Sequence, residues 1–150
     1  MKIVLAMISP HRSGPSGPAA DLLHLYLERA ERYVPCNQRV FASEKKLLDF
    51  VADATARTRP VLIVADSQGK QLTSKEIADT LGSFRDAGTQ TLIVAIGPAD
   101  GWSAAALARA DRCISFGRIT LPHELAAVVA AEQVYRALTI LAGHPYHSGH

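Results

Sequence analysis

Three stretches of the chain are nearly unbroken in apolar character: residues 1–8, 61–65 and 91–96. Runs of this length without alternation predict strands buried on both faces, as in a parallel sheet. Shorter runs at residues 39–42 and 113–116 predict two more strands. Between them the pattern changes to helical spacing. Leu22, Leu23, Tyr26, Leu27 and Ala30 mark a helix over residues 19–33, stopped by Pro35. Ser43 predicts an N-cap for a helix to about Arg57, with Leu47, Leu48, Val51 and Ala54 on one face. Thr73-x-x-Glu76 is a capping box opening a helix to Ala87, with Gly88 behind it. Ser103 caps a short Ala-rich helix to Ala110, and a long helix is predicted over residues 122–142. Residues 13–18 form a Gly- and Pro-rich loop.

The sum is five β-α units, hence an α/β fold: a mostly parallel sheet flanked by helices, in one domain over residues 1–150. Such sheets bind ligands at the carboxyl ends of their strands. Three loops then share one rim: 65–70, 97–102 and 115–121. A hydrophobic content of 48% against 20% charged residues supports a globular chain. No apolar run approaches the roughly 18 to 20 residues of a membrane span. Residues 1–8 lack the basic stretch and cleavage site of a signal peptide and read as a strand. Cys36 and Cys113 suggest no disulfide framework, so a reduced cytoplasmic protein is expected.

Charge narrows the partners only a little. The net charge is +2. No acidic residue follows Glu132, whereas Arg136, His144, His147 and His150 do, and Arg109, Arg112 and Arg118 crowd the segment before the last helix. That suits an RNA or phosphate partner, and equally an ordinary solvated surface. Familiar nucleotide chemistry is missing. There is no G-x-x-x-x-G-K-[ST], no G-x-G-x-x-G and no G-x-S-x-G. Ser9, Pro10 and His11 stand where a phospho-receiver needs acidic residues. What remains is a ligand gripped mainly by backbone groups of the late loops.

The C-terminal third carries the most specific motifs: Thr120-Leu-Pro-His123, Glu132-Gln-Val-Tyr-Arg-Ala137 and His144-Pro-Tyr-His147. Together they resemble the large-subunit ribosomal RNA methyltransferase H family of the SPOUT class. Asp66-Ser-Gln-Gly-Lys70 and Ile96-Gly-Pro-Ala-Asp-Gly-Trp-Ser103 fall where that family has a Gly-Lys loop and a Gly-Gly-Pro-x-Gly-Leu-Ser-like loop. The resemblance covers about residues 60–147. It implies an α/β knot with a C-terminal trefoil knot, a homodimer and S-adenosylmethionine as methyl donor. The implied acceptor is N3 of a pseudouridine in 23S ribosomal RNA, within the large subunit or whole ribosome. By position, the cofactor contacts fall on Ala65, Gly97, Phe116, Gly117, Arg118, Ile119, Thr120 and Leu121. Tyr146 and His147 take the catalytic positions; Arg136, His144 and Tyr146 take the RNA-binding ones. The chain departs from the family at Ala65 (Leu there), Pro98 (the second Gly of a pair), Gly117 (Ser) and Ala127 (a basic residue). Pro98 removes a backbone donor.

Each candidate has a plainer reading beside it. Residues 116–121 offer N–H and C=O groups that suit an adenine edge, or are a simple connection. Gly97 and Gly101 let backbone approach the donor, or merely turn the chain; Gly97→Val is expected to block binding and leave the fold intact. Tyr146 stacks on the acceptor base or packs the tail down. His144 and His147 are phosphate contacts or a proton acceptor. Metal binding through His144, His147 and His150 is rejected for want of a nearby carboxylate or thiolate. Arg136 faces RNA or pairs with Glu132 at i,i+4. Lys70 and Arg118 are phosphate contacts, and Trp102 is a core or interface anchor. His123 is a cap, a packing residue or a ligand. Small residues at 126, 127, 130, 131 and 137 allow close helix approach, as in a C2 homodimer. The rival function is a non-catalytic ligand- or RNA-binding protein of the same fold.

Overall fold

A computed structural model describes residues 1–11, 13–53 and 57–148; Ala54 and His150 lie outside them. The elements follow in the order β1 (Lys2–Ile8), α1 (Gly17–Glu31), β2 (Cys36–Phe41), α2 (Glu44–Val51), β3 (Val61–Gln71), α3 (Ser74–Asp86), β4 (Thr91–Ile96), α4 (Ala104–Arg109), β5 (Arg112–Ser115) and α5 (His123–Leu141). A 3-10 turn, Pro145–His147, follows α5. The five strands are all parallel, in the order β2-β1-β4-β3-β5.

Side chains alternate across a strand, so one sheet has two apolar faces. Ile3, Leu5 and Met7 join Leu23 and Leu27 of α1, Leu81 of α3 and Val134 of α5. Val4, Ala6 and Ile8 join Leu47 and Val51 of α2, with Trp102 packed against them. The layers are therefore α1, α3 and α5 on one face and α2 on the other. The capping box is complete: Thr73 Oγ1 accepts from the Glu76 N–H, and the Thr73 N–H donates to Glu76. Ser43 and Ser103 cap their helices as expected. α2 ends at Val51, earlier than the expected Arg57. Pro122 is the N-cap of α5 and not its first helical residue.

Two expectations are corrected. The Asp66–Lys70 segment is not a free loop after a short strand. β3 continues through it to Gln71, with a bulge between Ala65 and Lys70, so that both residues face Ile114 of β5. Gly69 presses on β5 here: a Cβ would lie 2.6 Å from the Ile114 carbonyl carbon and 2.8 Å from that of Cys113. The small residues of α5 do not form an outer dimer stripe either. Ala127, Ala130, Ala131 and Ala137 are buried in the protomer's own core, where they let α5 sit close to its neighbours.

Candidate functional site

β4, β3 and β5 are adjacent in the sheet, so their carboxyl ends and following segments meet at one rim. There they enclose a cleft of about 420 Å³. Ala65, Asp66 and Ser67 supply one wall, residues 96–99 with Gly101 and Trp102 a second, and residues 115–117 and 119–123 a third. Of the expected cofactor residues, Ala65, Gly97, Phe116, Gly117, Ile119, Thr120 and Leu121 line it together. Arg118 is exposed and does not line it.

Local chemistry shapes the third wall. Ser115 Oγ donates to the Gly117 carbonyl at 2.8 Å and accepts from the Gly117 N–H at 3.2 Å. That tight loop needs φ near +112° at Gly117, a region open to glycine. Gly117's own polar groups are thus occupied. Beyond it, among the described residues, no hydrogen bond is made by the backbone groups of the cleft-lining residues 119–121. A strip of free donors and acceptors borders the cleft, as a planar ligand edge requires. The cleft volume falls within the range of small-molecule sites. The residues present fit an adenine-bearing cofactor. Ser115 falls within the predicted 115–121 loop without being singled out there; His123 also lines the cleft, and its buried Nε2 has no partner among the described residues.

The second wall differs from expectation. Gly97 does not open space for a ligand. A Cβ there would sit 2.6 Å from Cε2 of Trp102, whose indole occupies that space. The Trp102 Nε1–H donates to the Ala65 carbonyl at 2.8 Å. Gly97→Val therefore disturbs the wall itself instead of leaving the fold intact. Even Gly97→Ala is expected to tilt the indole, and because Trp102 is the only tryptophan, its emission reports the change. A red shift is expected; an unchanged spectrum would mean the ring does not depend on Gly97.

The tail residues gather elsewhere. Glu132 Oε1 accepts from Arg136 Nε at 2.9 Å, Arg136 Nη2 at 2.6 Å and the Tyr146 hydroxyl at 3.0 Å. Arg136 Nη1 donates to His147 Nδ1 at 3.1 Å, since guanidinium cannot accept. The Tyr146 ring lies 4.6 Å from that of Tyr135 and below the Arg136 guanidinium. His144 Nδ1 accepts from the Tyr146 N–H. Arg136 thus makes the Glu132 pair, and Tyr146 packs the tail onto α5. Among the described residues, none of 144–148 lines the cleft. Glu132 stands about 9 Å along the helix from Ala126, the α5 residue nearest to it that lines the cleft, at 1.5 Å per residue.

Burial, then the Glu132 carboxylate, pushes the Tyr146 phenol up to about 12. The raised value means its contribution to stability is complete below the ordinary phenol value of 10.0 and is lost as pH rises through about 12. The stability difference between wild type and Tyr146→Phe is expected to stay flat to that ordinary value and shrink above it in denaturant titrations. A difference that grows with alkalinity would contradict the docked phenol.

A parallel sheet with a backbone-lined cleft at its carboxyl edge defines an α/β domain that holds a small ligand by its late loops. The family model described as "Predicted SPOUT methyltransferase" matches residues 1–147. A protein from Koribacter versatilis (strain Ellin345), named ribosomal RNA large subunit methyltransferase H, is 52% identical over 83% of this chain and 85% of its own. Its namesake from Chelativorans sp. (strain BNC1) is 37% identical over 98% of this chain and 91% of its own. The chain belongs to the SPOUT methyltransferase family, within its ribosomal RNA large subunit methyltransferase H group. In solved structures, a probable methylase family protein from Haemophilus influenzae Rd KW20 shares the fold. Its TM-score is 0.55 at 9% identity, over 99% of this chain and 70% of that one. The SpoU methyltransferase AviRb from Streptomyces viridochromogenes aligns with a TM-score of 0.50 at 16% identity, over 96% of this chain. The chain spans only 61% of that longer protein.

Proposed function

We propose that this protein transfers a methyl group from S-adenosylmethionine to N3 of a pseudouridine in 23S ribosomal RNA. It acts in the cytoplasm, as a homodimer, on the large subunit or the assembled ribosome. The observation that carries the reading is the cleft lined by residues 119–121, whose backbone groups make no hydrogen bond among the described residues. Those groups meet the adenine edge, while Ala65, Trp102 and Phe116 provide apolar walls. S-adenosylmethionine supplies an electrophilic sulfonium methyl; the chain supplies orientation, and in-line approach to a ring nitrogen is chiefly a matter of proximity. The implied trefoil knot belongs to the same reading.

The acceptor side needs the tail. Tyr146 and His147 sit beside Glu132, away from their own protomer's cleft, so a second subunit would bring its tail to the donor. Leu22 and Leu25 on α1, Ile119, and Leu125 on α5 are exposed apolar residues that such a copy would cover. With His147 Nδ1 taken by Arg136, that nitrogen has no lone pair for the acceptor's N3 proton until the contact opens. Tyr146 stays a phenol and acts by stacking or hydrogen bonding. Among the described residues no helix is long and apolar enough to cross a membrane.

The rival reading, a non-catalytic binding protein of the same fold, rests on Pro98 and Ala65: both line the cleft, Pro98 offers no N–H, and Ala65 is smaller than the Leu usual there. Ribosomes lacking the modification, incubated with protein and labelled donor, separate the two. Label in N3-methylpseudouridine after nuclease digestion is the expected result; donor binding without label transfer would favour the rival. Light scattering should give twice the 16.1 kDa chain mass, and a monomer at micromolar concentration would remove the shared site.

A further inference from the structure

The far end of the loop after β4 is pinned from outside the cleft. Glu44, half-buried, is the first residue of α2. Its Oε1 accepts from the Ser103 N–H at 2.8 Å, and its Oε2 accepts from the Ser103 hydroxyl. The same hydroxyl accepts from the Ala106 N–H and caps α4. Two elements distant in sequence are thus joined at one residue. The residue before it is Trp102, whose indole lies against Gly97 and bonds the Ala65 carbonyl.

Consecutive residues therefore carry consecutive anchors. Trp102 ties its side chain to β3, and Ser103 ties its backbone to α2. Between Gly97 and Trp102 the described backbone hydrogen bond is a local turn, Gly101 N–H to the Pro98 carbonyl, which fixes nothing outside the loop. Without Glu44 the indole keeps its bond and Ser103 stays the N-cap of α4, but the tie that holds this end of the loop to α2 is lost. Glu44 itself does not line the cleft, so it acts only through Trp102. A bidentate charged acceptor suits this task, because two bonds define an orientation where one defines a distance.

We propose that Glu44 is a positioning residue for the methyl donor, holding Trp102 through Ser103 as the flat wall on which the donor's aromatic base packs. The proposal rests on the reading that the cleft takes S-adenosylmethionine. It separates donor affinity from the methyl-transfer step, since the acceptor is presented by the tail. Loss of a hydrogen-bonded charged group of this kind corresponds to about tenfold in affinity.

The test compares Glu44→Ala with Glu44→Gln. The probe is S-adenosylhomocysteine, titrated by calorimetry and by Trp102 emission, with donor KM and kcat measured on unmodified ribosomes. Ligand-free melting confirms that both variants fold. Glu44→Ala is expected to weaken binding and raise KM by about tenfold while kcat stays within about twofold. Glu44→Gln keeps an acceptor for the Ser103 N–H and an amide N–H for the hydroxyl oxygen, and is expected to behave like wild type. Normal binding by Glu44→Ala, a fall in kcat at unchanged KM, or equal damage in both variants would overturn the proposal. If wild type itself binds no S-adenosylhomocysteine, the donor reading fails and the proposal with it. The clamp is judged separately in that case by ligand-free Trp102 emission, which should shift in Glu44→Ala and not in Glu44→Gln.

Discussion

Deletion of residues 144–150 is expected to lower methyl transfer to ribosomal RNA by more than about a hundredfold while leaving donor affinity nearly unchanged. The separation follows from where the residues lie. The cleft is built from segments after β3, β4 and β5, and Tyr146 and His147 touch none of its walls. They are held on α5 by Glu132 and Arg136. Removing a group that orients the acceptor costs rate and not donor binding, and misplacement of about 1 Å already costs about a hundredfold. The measurement pairs labelled methyl transfer with a donor titration of the same truncated protein. Full transfer would make the tail merely structural. Loss of donor affinity as well would mean that the tail closes over the donor, and the assignment of Tyr146 and His147 to RNA would be wrong. A mixed dimer of one truncated subunit and one cleft-defective subunit should regain activity if the tail serves the partner's cleft.

Gly69→Ala is expected to destabilise the protein by about 3 kcal/mol, the cost of forcing extra volume into a packed site. The atoms in the way are backbone atoms of Cys113 and Ile114, which cannot rotate aside like a side-chain end. β5 would have to move from β3, carrying Ser115 and the third wall of the cleft with it. Melting should fall by about 10 °C, and donor affinity should fall in parallel. A melting temperature within a degree or two of wild type would show that β3 and β5 do not approach as closely as described.

The strands of the sheet interior were the most legible part of the chain. β4 occupies Thr91–Ile96, the residues its apolar run delimits, because a strand buried on both faces leaves no ambiguity of pattern. The Thr73 capping box was equally local and equally clear. β3 was misread because Asp66, Gly69 and Lys70 carry loop chemistry, and only pairing with β5 keeps them extended. The edge strand β2 begins at Cys36, earlier than its apolar core suggests, since Asn37 and Gln38 need bury only part of their surface. At the site, the meeting of three loops could be inferred because the carboxyl ends of parallel strands share one rim. The indole filling the space over Gly97, and the clamp from Glu44 to Ser103, could not. Both join residues by tertiary contact that no spacing encodes. The alanines of α5 were legible as small and not as buried, because close packing on a sheet and close packing on a second copy call for the same residues.

The cleft at the ends of β3, β4 and β5 is expected to bind the methyl donor. Calorimetric titration of the folded protein with S-adenosylhomocysteine tests it most directly. Saturable binding at one site per chain is expected, with a higher melting temperature for the complex, because a ligand bound only by the native state stabilises it. No heat and no melting shift at millimolar ligand, in a sample shown to be folded, would contradict it.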